Sequence, residues 1–109
     1  MGKEQLGEFE HQVLLATLRL NGEAYSVPIV LEIEERTGRE VSQSSVYIVL
    51  RRLEKKGLLS SRMDDHAKQE TGRVRRYFAL TPLAMVRLKD SRRALMRMWE
   101  GIDAQLDEA

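Results

Sequence analysis

Residues 42–57, SQSSVYIVLRRLEKKG, carry apolar side chains at the spacing of one face of an α-helix. With successive residues roughly 100° apart, four of these side chains fall within one arc of about 100°: Val46, Val49, Leu50 and Leu53. Ser42 is a favourable N-cap, and Gly57 stands where a left-handed residue commonly ends a helix. The segment therefore predicts one helix, bounded by Ser42 and Gly57, that buries this apolar stripe.

The face opposite the stripe is not required by folding. It carries small hydroxyls at its start and basic residues further on, with an isoleucine between them. Serine and glutamine side chains can hydrogen-bond base edges, while arginine and tyrosine can reach phosphate. Ile48 could contact a thymine methyl, although single exposed apolar residues are normal. The DNA-binding residues predicted on this helix are Ser42, Gln43, Ser44, Ser45, Tyr47, Ile48, Arg51 and Arg52.

Two further helices are predicted before this one. The first covers residues 6–20 and stops before Asn21-Gly22. The second is capped by Ser26, tolerates Pro28 in its first turn and ends at Thr37-Gly38. Residues 39–41 form a short connector or a minimal strand. Two helices joined by so short a connector predict a helix-turn-helix.

A hairpin and a last helix are predicted after Gly57. Residues 58–63 and 75–80 have the composition of strands, and the polar segment between them is a long hairpin tip. Thr81-Pro82 is a strong helix start, and the last helix is expected to run to about Asp107. The fold class is therefore mainly α with a small β-hairpin. It is a winged helix-turn-helix DNA-binding domain over residues 1–81 and a long C-terminal dimerisation helix over residues 82–109.

The net charge of +1 conceals a segregation of charge along the chain. Residues 1–50 hold 4 Lys/Arg against 8 Asp/Glu, whereas residues 51–81 hold 9 against 4. A basic segment presents a positive field to a polyanion even on a nearly neutral protein. The predicted DNA contacts of the hairpin, or wing, are Lys68, Arg73, Arg75 and Arg76. Arg75 and Arg76 should point to opposite faces of their strand, so only one of them is expected to face DNA. The competing interpretation is a solvated hairpin whose arginines pair with its own acids.

The last helix carries an apolar seam with spacings of 7, 4, 3 and 4: Leu88, Leu95, Trp99, Ile102 and Leu106. So narrow a seam is typical of a helix that pairs with another helix, and the simplest partner is a second copy of the chain. The alternative is that the helix folds back on the first one. Trp99 and Met96 could also line a pocket for a small aromatic effector; the alternative is that Trp99 only fills the dimer contact.

The chain lacks the residues that several classes of function need. The chain has no cysteine and two isolated histidines, so neither a metal site nor a catalytic or cofactor site is expected. No apolar run is long enough to span a membrane, and the first residues do not resemble a secretory signal. The chain is therefore expected to work in the cytoplasm and not to be an enzyme.

Two segments resemble the PadR family of bacterial winged-helix transcriptional regulators. SSVYIVLRRLEKKGLL (44–59) is similar to the family's run through its third helix, and GRVRRYFALTP (72–82) to its wing strand and following helix start. The resemblance implies a homodimer that binds an operator with dyad symmetry, usually as a repressor. It also implies that Tyr47 and the wing arginines contact DNA and that a small aromatic effector can release it. Ser44 and Ile48 stand where the family has glycine and often proline, so base preference does not carry over.

A protein-binding winged helix is the alternative function, because this fold does not dictate what it binds. Such a module should have an apolar outer face on its third helix. Arg51, Arg52 and Lys55 make that face basic here, which favours DNA.

Overall fold

The computed structural model of the chain describes residues 6–64 and 75–108. Within them the elements follow the predicted order of three helices, a hairpin and a further helix, with one short helix added at the end. They are α1 (Glu8–Leu20), α2 (Ser26–Thr37), α3 (Gln43–Lys55), β1 (Leu59–Asp64), β2 (Arg75–Leu80), α4 (Pro82–Trp99) and α5 (Asp103–Asp107). The predicted class, mainly α with a small β-hairpin arranged as a winged helix-turn-helix, is confirmed.

Helix α3 is capped as its sequence predicts. The Ser42 hydroxyl accepts the backbone N–H of Ser45 at 3.0 Å, which satisfies one of the free donors of the first turn. Gly57 adopts φ 78°, a left-handed conformation that a residue with a Cβ rarely adopts. The chain there leaves α3 and enters β1, and the N–H of Leu58 donates to the Leu53 carbonyl at 3.0 Å.

Helix α2 begins one residue earlier than a serine cap would place it. Tyr25 occupies the N-cap and makes no side-chain cap, so the predicted capping role of Ser26 is wrong. The Ser26 hydroxyl instead accepts a hydrogen bond from Gln43 Nε2 at 3.1 Å, which joins the starts of α2 and α3. Gly38, with φ 73°, ends α2 as predicted. The connector that follows is irregular chain and not a strand.

The hairpin is antiparallel, with Leu59 opposite Leu80 at its base and Asp64 opposite Arg75 at the far end of the described pairing. Its inner face carries Phe78, which is buried. The N–H of Phe78 donates to the carbonyl of Ala24 at 2.8 Å, so the residues before α2 add a single bridge to the outer edge of β2. The wing is thereby fixed to the helix-turn-helix at its base.

The core lies between α1, α2, α3, the hairpin and the start of α4. All four members of the predicted stripe of α3 are buried in it, which confirms that side of the helix as the packing face. Other fully buried side chains come from the neighbouring elements: Val13, Leu14, Ile29, Leu58 and Phe78. Apolar burial of this kind is the main stabilising term in a small domain.

The C-terminal region departs from the expected single helix. Helix α4 ends at Trp99, and Gly101 takes a left-handed φ of 81° before the short helix α5 begins. The prediction of one helix to about Asp107 is therefore wrong, because the chain turns at Glu100-Gly101. Leu88 is only 7% exposed and packs in the core of its own chain, so it is not available to the predicted dimer seam.

The start of α4 packs on the domain, and its end does not. Ala84 and Leu88 are buried, whereas every residue from 92 to 108 is exposed. Between the two parts, the Ser91 hydroxyl lies 3.4 Å from His11 Nδ1 of α1. The molecule measures 55 × 34 × 20 Å along its principal axes. No helix of the described residues is long and apolar enough to cross a bilayer.

Candidate nucleic-acid interface

The outer face of α3 presents the side chains that the helical spacing predicts. Ser44, Ile48 and Lys55 are exposed, and Arg51 is partly exposed. Ile48 has 62% of its surface accessible, the greatest exposure of any apolar side chain on this helix. Folding therefore leaves this row of residues free to meet another molecule.

A cluster of hydroxyls surrounds the first turn of α3. The Ser42 hydroxyl lies 2.7 Å from that of Ser45 and 3.3 Å from that of Ser44. Gln43, a predicted base contact, donates to Ser26 of α2 and is partly committed there. The positive end of the helix dipole lies at this turn, so its N–H groups and hydroxyls suit a phosphate or the acceptor atoms of bases.

The wing side of α3 is fixed by Tyr47 and Glu54. The Tyr47 ring contacts the Phe78 ring edge-on, and its hydroxyl accepts from Arg51 Nη1 at 3.5 Å. Glu54 accepts a hydrogen bond from Ser61 of β1, and Ser61 in turn accepts from Arg76 of β2 at 2.9 Å. This chain of hydrogen bonds holds Arg76 on the side of the wing that faces α3.

The opposite face of the wing carries a stack of alternating arginine and tyrosine side chains. Tyr25 and Tyr77 meet edge-on with centroids 5.5 Å apart. Arg75 lies 4.7 Å above the Tyr25 ring and Arg62 lies 4.7 Å above the Tyr77 ring, within the range of cation–π attraction. Arg75 and Arg76 therefore point to opposite faces, as the strand alternation predicts. The other two predicted wing contacts, Lys68 and Arg73, lie outside the described residues.

The α1 side of α3 is fixed by a buried carboxylate. Glu10 is 6% exposed, and its carboxylate lies 2.9 Å from Lys56 Nζ and 3.3 Å from Arg52 Nε. It also accepts the N–H of Gly7 at 3.0 Å. Burial by itself raises the pKa of Glu10, but the Gly7 hydrogen bond and the cations Lys56 and Arg52 outweigh burial, so the pKa lies below its ordinary value of 4.5.

Sequence reasoning missed Glu10, although a signal was present. Glu10 falls on the same helical face as Val13, Leu14 and Thr17, all of which are buried. A carboxylate on the buried stripe of an amphipathic helix needs a cationic partner, because an unpaired buried charge is very costly. That signal predicts a partner but does not identify it.

Arg39 on the connector is a second residue that sequence reasoning missed. Its guanidinium lies 4.7 Å above the Phe9 ring of α1 and 3.4 Å from Gln12 Oε1. Beside it runs an open groove of about 390 Å³ along the α1 side of α3. Its lining is Phe9, Arg39, Glu40, Val41, Ser42, Ser45, Ile48 and Val49. Arg39 thus adds a cation next to the first turn of α3.

Apart from Leu88, the predicted dimer residues lie on the projecting part of α4 and beyond it. Of the predicted dimer residues, Leu95, Trp99, Ile102 and Leu106 are exposed. Met96, the proposed companion of Trp99 in an effector pocket, is exposed as well. Because the helix breaks after Trp99, Ile102 and Leu106 do not continue the helical surface on which Leu95 and Trp99 lie.

Comparison with known protein families gives one match. A model of the transcriptional regulator PadR-like family matches residues 14–90, from the middle of α1 to the middle of α4. The matched region contains α2, α3 and both strands of the wing. Among curated protein sequences, no significant match is found.

Solved structures with the same fold include several bacterial regulators. A PadR family transcriptional regulator from Eggerthella lenta DSM 2243 is 24% identical with a TM-score of 0.68, over 89% of this chain and 82% of that one. A PadR-like transcription factor from Bacteroides fragilis is 24% identical with a TM-score of 0.70, over 88% and 87%. A PadR family regulator from Clostridium difficile R20291 is 21% identical with a TM-score of 0.69, over 88% and 97%. At these identities the likeness shows a shared fold.

Proposed function

Because the chain belongs to the PadR-like family of transcriptional regulators, we propose that it binds operator DNA through α3, its recognition helix. The proposed activity is repression by a homodimer in the cytoplasm of a bacterial cell. The operator then has dyad symmetry, since a two-fold dimer presents two equivalent recognition helices. Nothing in this activity calls for a catalytic group.

The outer face of α3 is the observation that carries the proposal. Ser44, Ile48 and Lys55 are exposed on the side opposite the core, and Arg51 lies among them. Small side chains at the start of the helix allow close approach to base edges in the major groove. Cations in its second half suit phosphates and guanine. A protein-binding helix in this position would present an apolar surface, and only Ile48 is apolar here.

The wing also supports a DNA-binding surface on the outer side of α3. Arg76 is held towards α3 by Ser61, and Arg75 lies on the other face over Tyr25. We assign Arg76 to the DNA side. Lys68 and Arg73 remain DNA contacts proposed from the sequence alone. Phosphate contacts from the wing add affinity with little sequence information and make that affinity dependent on salt.

The C-terminal region is the proposed dimer contact. Leu95 and Trp99 are exposed apolar residues one helical turn apart on the projecting end of α4, and α5 adds Leu106. Exposed aromatic and aliphatic side chains of this kind are typical of a surface that is covered in an assembly. The division into a DNA-binding domain over 1–81 and a dimerisation region over 82–109 follows from this proposal, although Leu88 belongs to the core of the first.

Trp99 and Met96 also form the candidate site for a flat aromatic effector. A tryptophan face and a flexible thioether suit a planar apolar ligand. The competing account is that Trp99 only fills the dimer contact. Titration of tryptophan fluorescence with planar aromatic compounds separates the two, because a ligand on Trp99 changes its emission and a filled contact leaves it constant.

Binding to duplex DNA over a salt series tests the proposed function. An operator is first selected from a random library with the wild-type chain, and its affinity is then measured from low to high salt. The logarithm of the association constant should fall linearly with the logarithm of salt concentration. Absence of duplex binding at low salt would instead support the protein-binding alternative.

A further inference from the structure

Four cations lie in the last turns of the recognition helix and at its C-cap, Lys56, and their surroundings differ. Arg51 and Lys55 lie on the outer face, whereas Arg52 and Lys56 lie roughly 40° apart on the side that faces α1. Arg52 is roughly 100° around the helix from Arg51. The buried carboxylate of Glu10 stands against the second pair, 3.3 Å from Arg52 and 2.9 Å from Lys56.

Glu10 binds its cationic partners more firmly than Glu54 binds Arg51. The Glu10 side chain is 8% exposed and accepts three donors, one of them the N–H of Gly7. Glu54, the partner of Arg51, is 28% exposed and 3.5 Å away, and it also accepts the hydroxyl of Ser61. A partly exposed pair separates at little cost, whereas removing both cations from a buried carboxylate leaves its charge without a cationic partner in the interior.

We propose that Glu10 determines the specificity of DNA binding by withholding Arg52 and Lys56 from the DNA backbone. This inference rests on the proposed function and refines it. Cations that reach phosphate strengthen binding to every sequence alike, because they release counterions without reading bases. With two of these four cations held by Glu10 of α1, phosphate contacts contribute less to the binding free energy. Base contacts then account for a larger share of the total affinity.

Under this proposal, Arg52 is a partner of Glu10 and not the DNA contact that the sequence predicts. Its side chain is 52% exposed, yet its Nε is directed at Glu10. Arg52 acts with Lys56 as a link between α3 and α1, and the phosphate contacts of the helix come from Arg51 and Lys55.

Neutralising Glu10 is the first test. Glu10→Gln and the matched control Glu8→Gln, an exposed acid in the first turn of the same helix, each remove one negative charge from α1. Binding to a duplex of random sequence is measured over a salt series. Glu10→Gln should steepen the salt dependence by about 0.9 for each released cation that reaches a phosphate. Its preference for the selected operator over random DNA should fall, while Glu8→Gln keeps the wild-type slope. Equal slopes for Glu10→Gln and wild type overturn the proposal.

Neutralising the cations is the second test, and it does not depend on the folding of Glu10→Gln. The double variant Arg52→Gln/Lys56→Gln keeps amide donors for Glu10 but removes both charges. It should retain the wild-type salt slope, whereas Arg51→Gln should lower the slope by about 0.9. A loss of slope in the double variant as large as that in Arg51→Gln overturns the proposal. The triple variant with Glu10→Gln added should also show the wild-type slope.

Different results would reject the proposed DNA binding and the proposed role of Glu10. A wild-type chain that binds no duplex at low salt rejects the proposed function and this refinement with it. A wild-type chain that binds DNA while Glu10→Gln leaves slope and operator preference unchanged rejects the role of Glu10 alone. Thermal unfolding followed by circular dichroism confirms that each variant compared is folded.

Discussion

The ring of Tyr47 on α3 contacts the ring of Phe78 on β2 edge-on, with centroids 6.5 Å apart and an interplanar angle of 79°. Phe78 is buried, whereas Tyr47 is 40% exposed and its hydroxyl accepts from Arg51. One side chain therefore packs the recognition helix against the wing and also places a hydroxyl beside a cation of the outer face. A substitution at Tyr47 can therefore separate its packing role from its proposed contact with DNA.

Tyr47→Phe is expected to weaken DNA binding while leaving the domain stable. The ring contact with Phe78 is kept, so the free energy of unfolding should stay within about 0.5 kcal/mol of wild type. Loss of one hydrogen bond to phosphate should reduce the affinity roughly 2- to 10-fold. Tyr47→Ala is the contrasting variant and should lower the melting temperature as well. Wild-type affinity in Tyr47→Phe would show that the hydroxyl makes no contact with DNA.

The proposed contact between Ile48 and a thymine methyl can be tested by changing the DNA. If Ile48 packs on a thymine methyl, replacing that thymine by uracil in the selected operator should weaken wild-type binding. Ile48→Ala should be insensitive to the same replacement, because the contacting side chain is already gone. Since Ile48 is largely exposed, the alanine variant should unfold like wild type. Equal uracil sensitivity in the two proteins would rule out the methyl contact.

The ionisation of Glu10 predicts how stability depends on acid. Its folded-state pKa lies below the ordinary value of 4.5, so the fold favours the charged carboxylate. That contribution is fully present above the unfolded-state pKa and is lost as the pH falls through the lower, folded-state pKa. Glu10→Gln should be less stable by about 1–2 kcal/mol at neutral pH. This loss is smaller than for a fully buried ion pair, because the paired Arg52 is half exposed.

The difference between wild type and Glu10→Gln should therefore shrink as the pH is lowered below about 4.5. Urea unfolding at a series of pH values measures it, with Glu8→Gln as the control of equal charge. A difference that stays constant through this range would mean that the Glu10 carboxylate has no lowered pKa in the folded protein.

Gly57 is expected to affect the stability of the fold only through its backbone conformation. Its φ is 78°, and a Cβ built there would meet nothing within 4 Å. Gly57→Ala should cost about 1–2 kcal/mol of unfolding free energy through left-handed strain alone. Gly57→Asn should cost less, because asparagine tolerates this conformation better. Thermal or urea unfolding of both variants gives the order, and an equal loss would point to a steric cause.

Self-association should depend on the exposed end of α4. Trp99→Ala combined with Leu95→Ala should shift the chain towards monomer in sedimentation experiments and weaken binding to a dyad operator more than to a half-site. Leu31→Ala is the matched control, because Leu31 is an exposed leucine of α2. A wild-type chain that sediments as a monomer at all concentrations would contradict the proposed dimer.

Local patterns account for most of what could be predicted about the fold. The stripe of α3, its serine cap, the glycine that ends it and the Thr81-Pro82 start depend on residues a few positions apart, and the structure has each of them. The break at Gly101 was also a local signal. It was missed because the apolar spacing through Trp99 and Ile102 suggested an uninterrupted helix.

By itself, the sequence determined which face of each helix is apolar, where most elements begin and end, and which side chains of α3 folding does not need. Only the tertiary structure decided what those exposed and charged residues meet. Glu10 pairs with Arg52 and Lys56, which are 42 and 46 positions away. Tyr47 lies against Phe78 across the domain. Such pairs depend on how packed elements bring distant residues together, and the periodicity within one element carries no information about its neighbour.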